Sequence, residues 1–280
     1  MDSSIPAAVR KDLLPGLFPQ VTQQPSGNAH VFGMTTYRTP LPGSVAWLQG
    51  DTLMTAPLDD RLLSYELYNA DRVRVGNAYP RQRNLHGYYW MASTGRHVWH
   101  ESLLERDMLM HLDHTAGVVA IASQPMRLTN EDGVHHYPDF LTLDARGIQT
   151  VYDVKPASRI NEKSLAQFEW TRKVCARVGW DYRVLTELPP QQRVNLAWLA
   201  LFRHPQYHPG VEAAGALLAA LKPGFTIADA VAHMPAESTP AARSRVFHLM
   251  WTRELLCDMA QRLTDATPVT APKEVHRGIA

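Results

Sequence analysis

The sequence predicts a mixed α/β fold followed by a helical C-terminal segment. Three observations carry this. A helical apolar pattern at Glu101–Asp113 stands just ahead of a short apolar run. Two β-patterned arms meet at Ala145-Arg146-Gly147, and a long amphipathic stretch at Glu162–Val178 leads into a further strand. The order helix, three strands, helix, strand implies helices packed on a mixed sheet.

Residues 1 to about 50 are rich in Pro, Gly, Ser, Thr and Gln without a sustained apolar period, so 1–70 is expected to be a partly ordered N-terminal arm. From Arg72 to His100 there are five arginines and no acidic residue, interleaved with Tyr79, Tyr88, Tyr89, Trp90 and Trp99. That mixture suits a surface that follows a nucleic-acid backbone and stacks bases. A pair of strands with core-facing aromatics fits equally well, and the two readings are compatible.

At about 100° per residue, Leu104, Met108 and Leu112 share one helical stripe, and Glu101 and Glu105 fall on it too. Gly117–Ser123, Asp139–Asp144 and Gln149–Lys155 read as strands. Helix Glu162–Val178 carries Leu165, Phe168, Cys175 and Val178 on one face, and Trp180–Leu185 is the next strand. Pro189-Pro190 marks a boundary between 71–188 and 189–280. Beyond it, helical stretches are expected near 191–203, 211–221, 226–234 and 239–250, with a capping box at Thr226 and Asp229 and Pro240 in a first turn. Residues 254–269 are expected to supply a hairpin, making this segment winged-helix-like.

Composition narrows the function classes. An apolar content of 45% with 20% charged residues is that of a soluble globular chain. No apolar run approaches the roughly 20 residues of a membrane helix, and Met1-Asp2-Ser3-Ser4 opens no signal peptide. Cys175 and Cys257 lack CxxC spacing and read as core thiols of a reducing cytoplasm. Of 28 basic residues, 22 are Arg, which suits phosphate contacts, although codon bias in a GC-rich genome explains it as well.

The chemistry concentrates on the hairpin. Its arms are symmetric about Arg146, which sets Asp139 opposite Asp153. Cross-strand Cβ atoms lie roughly 5 Å apart, where like charges destabilise, so two opposed carboxylates call for a cation or a shared proton. Period-two alternation puts Lys155 on the face of Asp153, above Val151. Glu105, with Glu101 as a rival one turn away, is a third carboxylate on an apolar stripe, a costly placement unless paired or bound to metal. Mg²⁺, for which Mn²⁺ substitutes, suits two or three carboxylates. The reaction of such a site is phosphodiester hydrolysis, in which the ion acidifies a water and stabilises the leaving oxygen.

Other groupings are weaker. His204-x-x-x-His208 has metal-ligand spacing, but Pro205 and Pro209 oppose a helix there. His135-His136 either touches DNA phosphate or caps a strand. The serines near Glu105 and Glu237 lack a base at useful spacing, which leaves serine-hydrolase chemistry without support.

Taken together, Trp99-His-Glu-Ser-Leu-Leu-Glu105, Gln124-Pro125, Tyr137-Pro-Asp139-Phe and Asp153-Val-Lys155-Pro156 resemble the TnsA-like transposase endonucleases of the PD-(D/E)xK nuclease superfamily. The likeness covers roughly residues 85–190 and extends weakly to the C-terminal segment. It implies a restriction-endonuclease-like mixed sheet flanked by helices. It also implies a Mg²⁺-dependent DNA endonuclease with Glu105, Asp139, Asp153 and the Val154 carbonyl as metal ligands, and Lys155 orienting the attacking water. Some members carry Gln where this chain has Asp153. The implied partners are double-stranded DNA, a transposase subunit of the retroviral-integrase type and an ATPase regulator, in a bacterial cytoplasm at the nucleoid. Arg243, Arg245 and Arg253 mark where contact with that subunit or its DNA is expected. The alternatives are a free-standing restriction, defence or repair nuclease, or a non-catalytic DNA-binding adaptor.

Overall fold

The computed structural model describes residues 41–74, 85–115 and 117–272. The predicted hairpin arms form β8 (Phe140–Asp144) and β9 (Gln149–Val154). Asp144 shapes the turn between them by accepting from the N–H groups of Arg146 (2.9 Å) and Ile148 (3.0 Å). Phe140 pairs with Tyr152 and Leu143 with Gln149, the expected register. β5 (Val118–Ser123) adds antiparallel to β8, and β10 (Asp181–Leu185) adds parallel to β9. The sheet is therefore mixed, in the order β10-β9-β8-β5.

The crossover from β9 to β10 is α2 (Glu162–Val178). It starts where the Asn161 side chain accepts the Ser164 N–H and ends at Gly179, whose φ of 97° suits glycine. A Cβ there would also come within 3.0 Å of Leu63. One face of the sheet buries Leu141, Leu143 and Val151 against Val174, Cys175 and Val178 of α2. Burial pushes the free Cys175 thiol up, and that of Cys257 up to about 11, so both behave as small apolar groups.

The arm expected over 1–70 gives way to strands from Leu41 onward. β1 (Leu41–Gln49) and β2 (Thr52–Leu58) join β6 (Met126–Thr129) and β7 (His135–His136) in an antiparallel sheet ordered β2-β1-β6-β7. Val45, Trp47 and Leu58 are buried there. β1 pairs with β2 directly after it and with β6 about 80 residues further along the chain, a partner that local sequence does not announce.

Tyr79, Arg81 and Arg83 fall outside the described residues. The rest of their segment forms the hairpin β3 (Gly87–Met91) and β4 (Arg96–His100), with Tyr89, Met91 and Val98 turned into the core. The helix α1 (Leu103–Thr115) is buried well beyond its predicted stripe, including Asp107, Leu109, Met110 and Asp113. α3 (Pro190–Leu199) and α6 (Thr239–Trp251) meet it, and α4 (Val211–Ala220) and α5 (Ile227–His233) join the same apolar cluster, all near their predicted positions. The Thr226–Asp229 capping box forms as predicted.

One apolar cluster runs from β3, β4 and α1 through to Val246, Met250 and Val269, so Pro189-Pro190 does not separate two cores. Residues 254–269 contribute isolated antiparallel bridges, Leu256 to Thr270 and Thr226 to Pro268, in place of the expected hairpin. Among the described residues no helix is long and apolar enough to cross a membrane.

Candidate active site

The open end of the β8–β9 hairpin borders a pocket of about 250 Å³ whose lining includes Asp139, Asp153, Val154, Lys155, Arg74 and His136. Asp139 sits at the bend just before β8, fixed at three points. Its N–H donates to Tyr152 O (2.9 Å), its carbonyl accepts from Gln124 N–H (2.8 Å), and its Oδ2 accepts from Val154 N–H (2.6 Å). Gln124 holds a φ of 45°, costly for a residue with a side chain, at this Asp139 contact between β5 and β6.

Enclosure by protein pushes the Asp139 carboxyl well above the usual carboxylate range, and the charges of Glu105, Asp153 and Glu101 add to it in that order. The Val154 N–H opposes them. An acid raised this way favours a proton or a cation beside it.

Glu105 is in the first turn of α1, and burial is the main cause of its own raised pKa. Its carboxylate accepts from Glu101 N–H (2.7 Å) and Ser102 Oγ (2.8 Å), while Ser102 Oγ accepts the Glu105 N–H (3.2 Å). Ser102 thus caps the first turn of α1 by accepting the Glu105 N–H, while the Glu105 carboxylate reaches back to the Ser102 hydroxyl and the Glu101 N–H. Two bonds leave part of the carboxylate's acceptor capacity free. Glu101 faces Arg74 instead, at 3.6 Å. Glu105 is thus the glutamate electrically nearer to Asp139.

Asp153 is held on the α2 side. Tyr182 donates its hydroxyl to Oδ2 at 2.5 Å, and the His136 Nε2 lies 3.0 Å from Oδ1. Gln167 of α2 places its amide nitrogen 2.8 Å from His136 Nδ1, which makes Nε2–H the donor to Asp153. Burial, then the Asp153 charge, push the Tyr182 phenol far up, so it stays a donor. The paired register ends at Phe140 and Tyr152, one position short of Asp139 and Asp153, and alternation along β9 puts Asp153 on the α2-facing side with Val151. Among the described residues, no three His, Cys, Asp or Glu side chains converge closely enough to hold a metal as they stand.

Lys155 leaves the end of β9, its N–H bonded to Leu185 O (2.9 Å), and lines the same pocket as the two aspartates. The paired histidines divide: His136 turns inward, and the exposed His135 meets Thr129 Oγ1 (3.0 Å). Alternation along a strand could have signalled that split; Tyr182 and Gln167 left no comparable signal, being brought in by α2 and β10. His204 stacks on Trp90, and His208 lies 3.7 Å from Glu254. Arg243 and Arg245 are engaged with Asp265 and Glu237.

Asp139, Asp153 and Lys155 share the pocket at the hairpin mouth, and the Glu105 charge reaches Asp139 from α1; carboxylate oxygens are the donor type that a hard divalent cation takes. Residues 115–187 match the family model described as TnsA-like endonuclease N terminal. The TnsA-like match contains Asp139, Asp153, Val154 and Lys155, whereas Glu105 lies ahead of it. No curated protein matches the chain.

Proposed function

We propose that this protein is a divalent-metal-dependent DNA endonuclease, the 5′-end-cleaving subunit of a heteromeric TnsA-like transposase working in the bacterial cytoplasm. The observation that carries the reading is the raised Asp139 carboxyl, sharing a pocket with Asp153 and Lys155 inside the TnsA-like region. Asp139, Asp153, Glu105 and the Val154 carbonyl are the oxygen donors for Mg²⁺ or Mn²⁺. The bound ion supplies Lewis acidity for phosphodiester hydrolysis.

The chain's own groups do the rest. Gln124 and Val154 fix Asp139, while Tyr182 and His136 hold Asp153. Lys155 presents an ammonium to the attacking water and the phosphate, and Arg74 adds positive charge at the pocket wall. A single such site cuts one strand, so a double-strand break requires the integrase-type partner at the other strand.

Titration with Mg²⁺ or Mn²⁺ should raise the thermal midpoint, since an ion binding only the folded chain stabilises it by mass action. Site-specific cleavage should appear only when the partner transposase is added. Calorimetry without divalent binding, even with DNA present, would sink the metal assignment. Robust double-strand cutting by the purified chain alone would favour the restriction-type alternative.

Assayed side by side, Glu105→Gln should abolish cleavage, whereas Glu101→Gln, a step further from Asp139, should cost about tenfold, as outer groups of metal sites do. The opposite order would make Glu101 the ligand.

A further inference from the structure

The outer face of the β3–β4 hairpin has no role in the chemistry above. Alternation turns Tyr89, Met91 and Val98 into the core and leaves Tyr88, Trp90, His97 and Trp99 on the other side. Tyr88 and Trp99 are cross-strand partners whose rings meet edge to face, with centroids 5.1 Å apart and planes at 70°. Trp99 is braced from elsewhere: the Arg72 guanidinium sits 4.4 Å from its ring centroid, and His86 packs at 5.1 Å. Tyr88 is therefore a large aromatic ring, 65% exposed and held in a fixed orientation by its neighbour.

The surroundings are cationic. Arg72 lies on the Trp99 ring, and the stretch from Arg72 to His100 has no acidic residue. The face is also continuous with the acid pocket. Two residues after Arg72, Arg74 lines that pocket and reaches Glu101, which directly follows β4.

We propose that this face is a stacking platform for an unpaired nucleotide of the DNA, so that the preferred substrate carries unpaired bases beside the cut. The proposal rests on the DNA-cleaving reading. In a duplex the face of each base is covered by its neighbours, and a base reaches an aromatic ring only when out of the stack. Phosphates, not base faces, are what an intact duplex offers to the arginines. An exposed, pre-oriented ring among cations near a phosphodiester site matches the single-strand arrangement, in which aromatic faces take bases and positive charge follows the backbone. A ring fixed in advance loses little side-chain entropy when a base settles on it.

The test is binding by the full chain without divalent ion, so that cleavage plays no part. The probes are a forked duplex with 2-aminopurine in its unpaired arm, and a blunt duplex of the same sequence. The wild-type chain should prefer the fork and quench the 2-aminopurine. Tyr88→Ala should abolish the quenching and weaken fork binding by about 5- to 150-fold, the range expected for one stacked base. Its affinity for the blunt duplex should stay unchanged, and Tyr88→Phe, which keeps the ring, should behave as wild type. Fork binding by Tyr88→Ala equal to wild type would overturn the platform and leave the face to a protein partner. Equal binding of fork and blunt duplex by the wild type would also overturn it while leaving the endonuclease reading intact. Binding of neither DNA would remove both.

Discussion

Replacing Asp139 by Asn is expected to abolish cleavage and, in the same protein, to make the metal-free fold more resistant to heat at neutral pH. The two effects have one source. The Asp139 carboxyl is held well above its ordinary pKa by enclosure and by Glu105 and Asp153. The folded chain therefore binds the Asp139 proton more tightly than the unfolded chain does. Stability contributed by that proton is complete below the ordinary carboxylate pKa and is lost as pH rises toward the raised folded value. Asn is neutral throughout and keeps an oxygen for the Val154 N–H, which Asp139 binds at 2.6 Å. Its stabilisation should thus be larger at pH 8 than at pH 5.

Asp139→Ala should gain less, because it strands that N–H, a loss of about 1–3 kcal/mol for a buried donor. Activity should fall at least about a thousandfold in both variants, the equivalent of several kcal/mol of charge stabilisation. Divalent ion should stabilise wild type but not Asp139→Asn. A variant that is less stable at pH 8 and still cleaves would make Asp139 a structural residue.

Much of this site was legible because its determinants are local. The symmetry of the hairpin about Arg146 set the register of Phe140 with Tyr152, and period-two alternation carried Asp153 and Lys155 toward one pocket. Helix α2 has its expected bounds, which Asn161 sets by capping the start and Gly179 by taking a left-handed conformation at the end. What escaped was set by distant partners. Nothing near Asp153 in sequence announces Tyr182, 29 residues on, or the Gln167–His136 relay that holds its carboxylate. Strands β1 and β2 looked like an arm because part of the cluster that buries Val45 and Trp47, from Met126 to Trp180, lies far along the chain. Asp113, buried on α1, would pass for a catalytic acid by composition. It instead caps the β3–β4 turn, accepting from Ala92 N–H (2.9 Å), Ser93 N–H (2.8 Å) and Tyr89 Oη (3.0 Å).

Ending the chain after Leu188 should leave no cooperatively folded nuclease. Such a cut looks harmless from the sequence, since Pro189-Pro190 reads as a linker between domains. In the structure, Leu196, Leu199, Val246 and Met250 complete the cluster that also holds Tyr89, Val98, Leu109 and Phe140. Each large apolar side chain left uncovered costs about 1.5–3 kcal/mol. Several together exceed the roughly 5–15 kcal/mol by which a domain is stable. Polar ties go as well: Arg193 to Asp107 (2.6 Å), Trp251 O to His114 Nδ1 (2.8 Å) and Arg203 to Trp90 O (3.2 Å). The first two anchor α1, the helix that carries Glu105 beside Asp139, so the active site loses its scaffold along with its core. Residues 1–188 should therefore melt without a sigmoidal transition, bind a hydrophobic dye and show no stabilisation by Mg²⁺. A truncated chain that melts cooperatively and gains stability from Mg²⁺ would show that the endonuclease half folds alone and that the C-terminal helices are an independent module.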